Sequence, residues 1–530
     1  MAAASAAVVV WQNLHVAVLY DLGYVLNIAY RIAAGDIPYR DFPMPYPPMT
    51  FVVQALLIRV AGPHYFVQIM YAVIIDAAAT ALVYWIVCRI VGDWRLAAAL
   101  CLPLVALGVY DVFPHPFYDP DATFLMLGGI AVALWASSGG SMWRWALTGM
   151  LLPLPILAKQ NTGLAFLALM LMALGLTLAR RPRSVLTFGA GAVGSLISIV
   201  ILLQLTAGLD NVARWTVSFA SARLSSSPAV LGWLADPGAV GFAALLLVAA
   251  VAVHRVRAPM GAAIGAVGLI VPFAVIAAVA VLTPQRQPVL ALWPLATLAA
   301  CASGIVAIAR DGLSLPRLLP FVVAGVATAS FLSQGVMGSS YALWPLLAVC
   351  VADPVRGLVA RAPTRRHLLF ITTTASAALV CLAGATYALG QYRLGFVDLR
   401  GPVASSTYPS LAGLATPGDY APELDNALAS IAALIPPNEP FIVFPGEDPI
   451  YFAMGRPPRF PITQFNRTVN PYTPSELRTL RDSFGVRWVL VKRNLQLRGS
   501  LSGSLDEPGA LLEGLERFGV AGPYDVYRRP

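Results

Sequence analysis

Long apolar runs dominate this chain and restrict it to a membrane fold. A helix needs about 20 predominantly apolar residues to span a bilayer, and runs of about that length recur between residues 64 and 389. Apolar residues make up 58% of the 530 residues and charged residues 12%, against roughly 45–50% and about 25% in soluble domains. The sequence therefore predicts a polytopic α-helical membrane protein.

The apolar runs give the expected number of spans. The candidates are residues 64–88, 96–112, 122–138, 145–158, 160–179, 185–207, 238–254, 261–283, 289–309, 318–337, 339–352 and 368–389. Residues 2–20 are a weaker first candidate because they contain Gln12, Asn13 and His15. With that run included, we expect about thirteen transmembrane helices.

Charge alternates from one loop between these runs to the next. Arginine collects in one set of loops, as at Arg89 and Arg95, at Arg180 and Arg181, and at Arg310. The other set is acidic, beginning with residues 21–48 and 111–121. Arginine-rich loops are typical of the cytoplasmic side, so we expect the acidic loops and everything after residue 389 to lie outside. The net charge of +9 is explained in the same way and does not indicate nucleic-acid binding.

The last part of the chain, 390–530, has the composition of a soluble domain. FIVF (441–444), RWVLVK (487–492) and YDVY (524–527) are typical of strands, and residues 474–484 and 508–518 of helices. We therefore expect a transmembrane domain over 1–389 and a small extracytoplasmic α/β domain over 390–530. Neither a phosphate-binding loop nor a nucleophile elbow occurs in it, and no CxxC spacing indicates a zinc site.

The two acidic loops contain the candidate catalytic carboxylates. Asp21 begins an amphipathic segment, DLGYVLNIAYRIAAG, which we expect to lie as a helix at the membrane interface with Asp21 at its N-terminus. Asp119 and Asp121, in YDPD, stand at the start of a span. A carboxylate held above a membrane can act as a general base or bind a divalent cation. The alternative is that these carboxylates are ordinary solvated loop charges.

The sequence also places two cationic side chains, Lys159 and Arg59, within the membrane. Only 35 residues separate Arg144 from Arg180, so the chain between them is expected to form a short hairpin with Lys159 near the outer face. Lys159 could be the counter-ion of an anionic lipid headgroup, pair with the acidic loops, or extend to the interface without a partner. Arg59 and Asp76 are expected to pair with each other.

Several of these motifs resemble a family of membrane glycosyltransferases. The Asp after the first helix, Tyr24, Ala29 and Gly35, PYRDF and the Pro47-Pro48 step are similar to those of the GT-C superfamily, which uses polyprenyl-phosphate sugars and includes aminoarabinose and protein-mannosyl transferases. The resemblance implies that Asp21 is the catalytic base and that Asp119 or Asp121 positions the acceptor or a metal. Some relatives have Lys where this chain has Tyr46, so the donor phosphate is expected to bind Lys159, Arg40 or Arg31.

The resemblance also implies an activity and a location. The expected protein is an inverting glycosyltransferase of the bacterial inner (plasma) membrane that transfers a sugar to an envelope glycan, lipid or protein acceptor. A divalent cation, Mg or Mn, held by Asp21, Asp119 and Asp121 is a possible cofactor. Membrane lipids are expected partners and nucleic acid is not. The alternatives are a lipid-linked sugar flippase and a non-enzymatic envelope scaffold.

Overall fold

The structure is a computed structural model that describes residues 1–139, 141–221, 232–233, 241, 243, 260–361, 366–390, 396–496 and 505–530. The predicted span 238–254 therefore lies, apart from residues 241 and 243, outside the described residues.

In the region up to Leu389 the helices are α1 (Ala2–Asn13), α2 (Tyr20–Ala33), α3 (Met49–Ala61), α4 (Tyr65–Val91), α5 (Trp94–Cys101), α6 (Tyr118–Gly139), α7 (Met142–Leu151), α8 (Gln160–Leu178), α9 (Pro182–Thr206), α10 (Leu209–Ala213), α11 (Met260–Leu282), α12 (Leu292–Asp311), α13 (Leu315–Ser339), α14 (Trp344–Arg361) and α15 (Arg366–Leu389).

The polytopic membrane fold predicted from the apolar runs is confirmed. Within the described ranges, seven helical segments are long and apolar enough to cross a membrane. They are Tyr65–Val91, Tyr118–Gly139, Gln160–Leu178, Pro182–Thr206, Pro284–Asp311, Leu315–Ser333 and Arg366–Leu389. Shorter apolar helices cover Met49–Ala61, Trp94–Val105 and Ile270–Leu282.

Prolines interrupt two of the predicted spans. The run 96–112 is not one continuous helix, because α5 ends at Cys101 and a 3-10 turn that includes Pro103 follows. The run 145–158 likewise divides into α7 and a 3-10 turn over Leu154–Leu157. Proline has no backbone N–H to donate and its ring clashes with the preceding turn, so an apolar run alone overestimates these helices. The second break produces the short hairpin expected around Lys159.

The first predicted span is also shorter than its apolar run. Helix α1 has 12 residues, about 18 Å at 1.5 Å per residue, which is too short to cross the hydrocarbon core. Its polar side chains are buried: Ser5 donates to Asp76, and Gln12 donates to the carbonyl oxygen of Asp111 at 2.5 Å. α1 therefore packs its polar face against α4 and the following loops.

The C-terminal region is an α/β unit, as the sequence predicts. Its elements are β1 (Val403–Ser405), β2 (Ala415–Pro417), α16 (Tyr420–Leu434), β3 (Phe441–Phe444), α17 (Ile450–Met454), α18 (Pro474–Ser483), β4 (Trp488–Lys492), α19 (Gly509–Leu512), β5 (Glu516–Ala521) and β6 (Tyr524–Arg528). The main sheet has the order β3-β4-β6-β5, with β3 and β4 parallel and the other pairs antiparallel. A capping box between Thr473 and Glu476, with Pro474 in the first turn, begins α18 where the sequence places it.

The helix predicted over 508–518 is wrong for most of its length. α19 ends at Leu512, and Gly514 follows with a φ of +75°. Glycine reaches this left-handed region without steric cost, so the chain turns there and continues as β5. Pairing of β5 with β6 overrides the helical spacing of residues 516–518.

Helix α2 exists as predicted, and protein covers most of it. Eleven of its fourteen residues are buried, because α3 covers one side and α17 of the C-terminal region packs on another. The amphipathic pattern therefore marks a helix enclosed by protein.

The predicted Arg59–Asp76 pair is wrong. Arg59 donates to the carbonyl oxygens of Ala33 and Ile32, at 3.0 and 3.2 Å. Asp76 is fully buried and accepts the backbone N–H of Tyr110 at 3.0 Å as well as the hydroxyl of Ser5. Helix spacing could not reveal this, because both sets of partners lie far away in the sequence.

Candidate active site

Asp21 lies in the first turn of α2, where its side chain is half-buried. Negative charge is favourable at this end of a helix because the backbone dipoles present their positive end there. The neighbouring phenol of Tyr20 has a pKa raised well above its usual value, first by burial and then by the carboxylate of Asp21. Asp21 thus lies at the positive end of the α2 dipole, three residues before Tyr24 in a buried aromatic region.

That aromatic region connects Asp21 to the second acidic loop. The ring of Tyr46 lies 6.0 Å from that of Tyr24, centroid to centroid, and stacks on Tyr118 at 4.4 Å. Tyr118 is followed directly by Asp119 at the start of α6. We call Tyr24, Tyr46, Phe51, Tyr118 and Tyr341 the aromatic bridge; they pack in one cluster. The sequence prediction that the two acidic loops meet on one face agrees with this packing.

Lys159 pairs with Asp119. Its ammonium donates to one carboxylate oxygen, and the hydroxyl of Tyr341 donates to the other at 2.6 Å. Both Lys159 and Asp119 are buried, and a charge in such a position normally needs a partner of opposite sign. Of the alternatives left open by the sequence, pairing with the acidic loops is the one that the structure contains.

Asp121 is held by three hydroxyl groups. Tyr71 and Tyr110 donate to one of its oxygens, at 2.8 and 2.7 Å, and Thr50 donates to the other at 2.5 Å. These donors come from α3, α4 and the loop before α6. The carboxylate thus ties the start of α6 to its neighbours.

The two carboxylates of YDPD do not form an open site for a divalent cation. All four of their oxygens already accept hydrogen bonds, from Lys159 and Tyr341 at Asp119 and from three hydroxyls at Asp121. Among the residues that the structure describes, no group of three or more His, Cys, Asp or Glu side chains could hold a metal. Mg²⁺ and Mn²⁺ prefer several oxygen ligands, and Asp119 and Asp121 offer no carboxylate oxygen that lacks a protein donor.

The two arginines predicted to bind phosphate differ in exposure. Arg31 is buried and donates to the carbonyl oxygens of Phe460 and Pro461, at 2.8 and 2.9 Å, while its Nε contacts Asp36. Arg40 is about half exposed and pairs with Asp41. Arg31 thus fastens α2 to the C-terminal region, and Arg40 keeps its guanidinium accessible.

Asp111, in the second acidic loop, is fully buried. It accepts the backbone N–H of Gly108 at 2.7 Å. Burial first, and the nearby carboxylate of Asp76 second, raise its pKa well above the usual range. The loop 106–117 is folded into the protein, so the alternative of ordinary solvated charges fails for this residue.

His115 in the same loop gives a pH-dependent stability. Burial lowers its pKa from 6.5 to about 3, so the folded protein holds it neutral while the unfolded chain protonates it. The contribution of the neutral imidazole to the free energy of unfolding is complete above about pH 6.5. It is lost as the pH falls towards 3, by about 1.4 kcal/mol for each pH unit. We expect His115→Phe, which keeps a ring beside Phe113 and Phe396, to show a shallower decline in thermal stability between pH 6.5 and 5. An equal decline in thermal stability for the wild type and His115→Phe would contradict this prediction.

No protein-family model and no curated protein matches the sequence. Solved structures do match the fold. The oligosaccharyltransferase of Archaeoglobus fulgidus, in complex with Zn and sulfate, is 13% identical with a TM-score of 0.50, over 93% of this chain and 67% of that one. The same enzyme tethered to an acceptor peptide containing the NVT sequon is 13% identical with a TM-score of 0.51, over 93% and 68%. This chain therefore shares the fold of that oligosaccharyltransferase. ArnT from Cupriavidus metallidurans bound to undecaprenyl phosphate is 15% identical with a TM-score of 0.48, over 99% and 97%.

Within this fold, the aromatic bridge connects the helix that begins near Asp21 to the Lys159–Asp119 pair. Sequence reasoning missed Tyr341, which lies 222 positions from Asp119 in the sequence and donates to it. It also missed Glu447 and Asp448, which pair with Lys492 beneath α2. Lys159 and Lys492 are the only two lysines in the chain, and this rarity was the one available signal.

Proposed function

We propose that the chain is an inverting glycosyltransferase that moves a sugar from a polyprenyl-phosphate donor to an envelope glycan, lipid or protein acceptor. The observation that supports this best is the arrangement of Asp21 and the Lys159–Asp119 pair at the two ends of one aromatic bridge in a GT-C fold. The A. fulgidus oligosaccharyltransferase, of the same fold, has been solved with an inhibitory peptide and a dolichol-phosphate. That structure supports a lipid-phosphate donor and a separate acceptor here.

The reaction is a single displacement. Asp21 accepts the proton of an acceptor hydroxyl while the acceptor oxygen bonds to the anomeric carbon, and the bond from that carbon to the phosphate oxygen breaks. The electron pair leaves with the polyprenyl phosphate, whose negative charge Lys159 and the accessible Arg40 stabilise. Inversion follows because attack and departure occur on opposite faces of the sugar. Asp119 orients Lys159, and Asp121 fixes the start of α6.

A direct assay tests this proposal. Purified protein is incubated with radiolabelled polyprenyl-phosphate sugars and envelope extracts, and we expect label to move covalently to an acceptor fraction. Movement of intact donor across proteoliposome membranes without transfer would instead support a flippase. Neither transfer nor movement with any donor would support a scaffold.

The hydrogen bonds to Asp119 and Asp121 predict that transfer does not require a metal. Because Asp119 and Asp121 have their oxygens occupied by protein donors, we expect saturating EDTA to leave the rate within about two-fold of the untreated enzyme, a change of about 0.4 kcal/mol in the barrier. The measurement is transfer by EDTA-treated protein with and without added Mn²⁺ or Zn²⁺. A large loss that Mn²⁺ restores would contradict the prediction.

We propose that the site lies on the outer face of a bacterial inner membrane. The arginine-rich loops predict this orientation, with the region 390–530 outside and contributing to acceptor selection. We expect a phosphatase fused after Pro530 to be active in the periplasm, and a cysteine at position 160 to react with an impermeant thiol reagent from that side. Labelling from the cytoplasmic side alone would contradict this topology and the proposed outer-face acceptor.

A further inference from the structure

The first turn of α2 lies directly against one turn of the C-terminal region. A Cβ atom at Gly23 would lie 2.6 Å from the carbonyl oxygen of Glu447 and 3.2 Å from the carbonyl carbon of Asp448. Real Cβ atoms essentially never show the first distance, and the second is tighter than most of their contacts, so glycine is needed for this close backbone approach. Gly23 is two residues from Asp21, and any shift of the 447–448 turn is therefore transmitted to the first turn of the helix.

Asn27 fixes the same contact one helical turn later. Its side-chain amide donates to the carbonyl oxygen of Asp448 at 3.1 Å, and its carbonyl oxygen accepts the backbone N–H of Phe452 at 3.1 Å. At the start of α2, the side-chain amide of Gln464 donates to the carbonyl oxygen of Tyr20 at 3.2 Å. The C-terminal region thus holds α2 at both sides of Asp21.

Buried charges hold the 447–448 turn itself. The ammonium of Lys492 lies 2.8 Å from a carboxylate oxygen of Glu447 and 2.9 Å from one of Asp448, and all three side chains are buried. The hydroxyls of Tyr420 and Tyr524 donate to Asp448. A network with this many partners permits few alternative positions of the turn.

We propose that the turn Glu447–Asp448, through Gly23 and Asn27, positions the Asp21 carboxylate for proton abstraction, so that the C-terminal region acts on the chemical step. This inference rests on the role of Asp21 in the proposed function. Gly23, Asn27 and Lys492 are positioning residues in this scheme. Displacement of a reacting group by about 1 Å can cost on the order of 10²-fold in rate.

The test compares two glycine-to-alanine variants of the full-length protein. Gly23→Ala forces α2 away from the turn, whereas Gly128→Ala in α6 meets nothing within 4 Å and gives the matched control. Both changes raise helix propensity by about 1 kcal/mol, so propensity cannot separate them. We expect Gly23→Ala to lower kcat on the order of 10-fold or more, with the donor KM unchanged and faster hydrogen exchange in α2. Gly128→Ala should match the wild type in all three.

A structural role alone would give a different result. In that case Gly23→Ala would reduce the yield of folded protein, but kcat per folded molecule would remain that of the wild type, and the inference would be overturned. If Gly23→Ala cannot be isolated, Asn27→Ala removes two hydrogen bonds without adding an atom and must show the same loss of kcat. Wild-type kcat in these variants beside an inactive Asp21→Asn would overturn the positioning role alone. An active Asp21→Asn would overturn the proposed function instead.

Discussion

Asp21→Asn is expected to insert and bind donor normally and to lose turnover by about 10²–10⁴-fold, the usual contribution of a general base. Asparagine keeps the size and the hydrogen-bonding capacity of the side chain and removes its basicity. Because the proposed role of Asp21 is proton abstraction and not donor binding, the loss should fall on kcat and leave the donor KM unchanged. The measurement is steady-state transfer with purified wild-type and variant protein.

Asp36→Asn and Asp41→Asn are the matched controls. Asp36 pairs with Arg31, and Asp41 pairs with Arg40 and accepts the backbone N–H of Ile37 at 2.7 Å. These carboxylates hold the shape of their own loop, so we expect milder losses from both. Wild-type turnover in Asp21→Asn would remove the base from the mechanism and favour the scaffold alternative.

Lys492→Met is expected to destabilise the C-terminal region by about 3–5 kcal/mol, the usual cost of removing one partner from a buried ion pair. Methionine fills a similar volume but leaves the carboxylates of Glu447 and Asp448 buried without their cation. Burial lowers the pKa of Lys492, but the charges of Asp448 and Glu447 outweigh it and raise that pKa overall. The measurement is hydrogen exchange of the amides in β3 and β4 in the full-length protein.

The control for Lys492→Met is the neighbouring Arg493→Gln, because Arg493 is exposed and its contact with Asp525 is a long one, 3.9 Å. Exposed ion pairs contribute little to stability, so the β3 and β4 amides of Arg493→Gln should be protected about as well as those of the wild type. Adding Glu447→Gln to Lys492→Met removes one uncompensated charge and should restore part of the lost protection. Unchanged protection in Lys492→Met would show that the buried cluster does not hold the turn.

The sequence predicted the elements of the candidate site more reliably than their environment. Asp21 was correctly placed at the start of α2, and Asp119 and Asp121 at the start of α6. The interfacial position of α2 stays a prediction, and its amphipathic pattern shows that one face is apolar but cannot show what covers the polar one. Here that polar face includes Asn27 and Arg31, which bond to residues more than 400 positions away.

By itself, the sequence determined the membrane fold, the short hairpin at Lys159, most of the C-terminal strands and the first turns that carry the acidic residues. These features depend on apolar run length, proline, capping residues and charge, which act over a few neighbouring residues. The tertiary structure decided that Lys159 pairs with Asp119, that Asp76 accepts from Ser5 and not from Arg59, and that residues 516–521 form a strand. Each of these depends on a buried polar group or a strand edge finding its partner across the fold. No local pattern identifies that partner before the chain has folded.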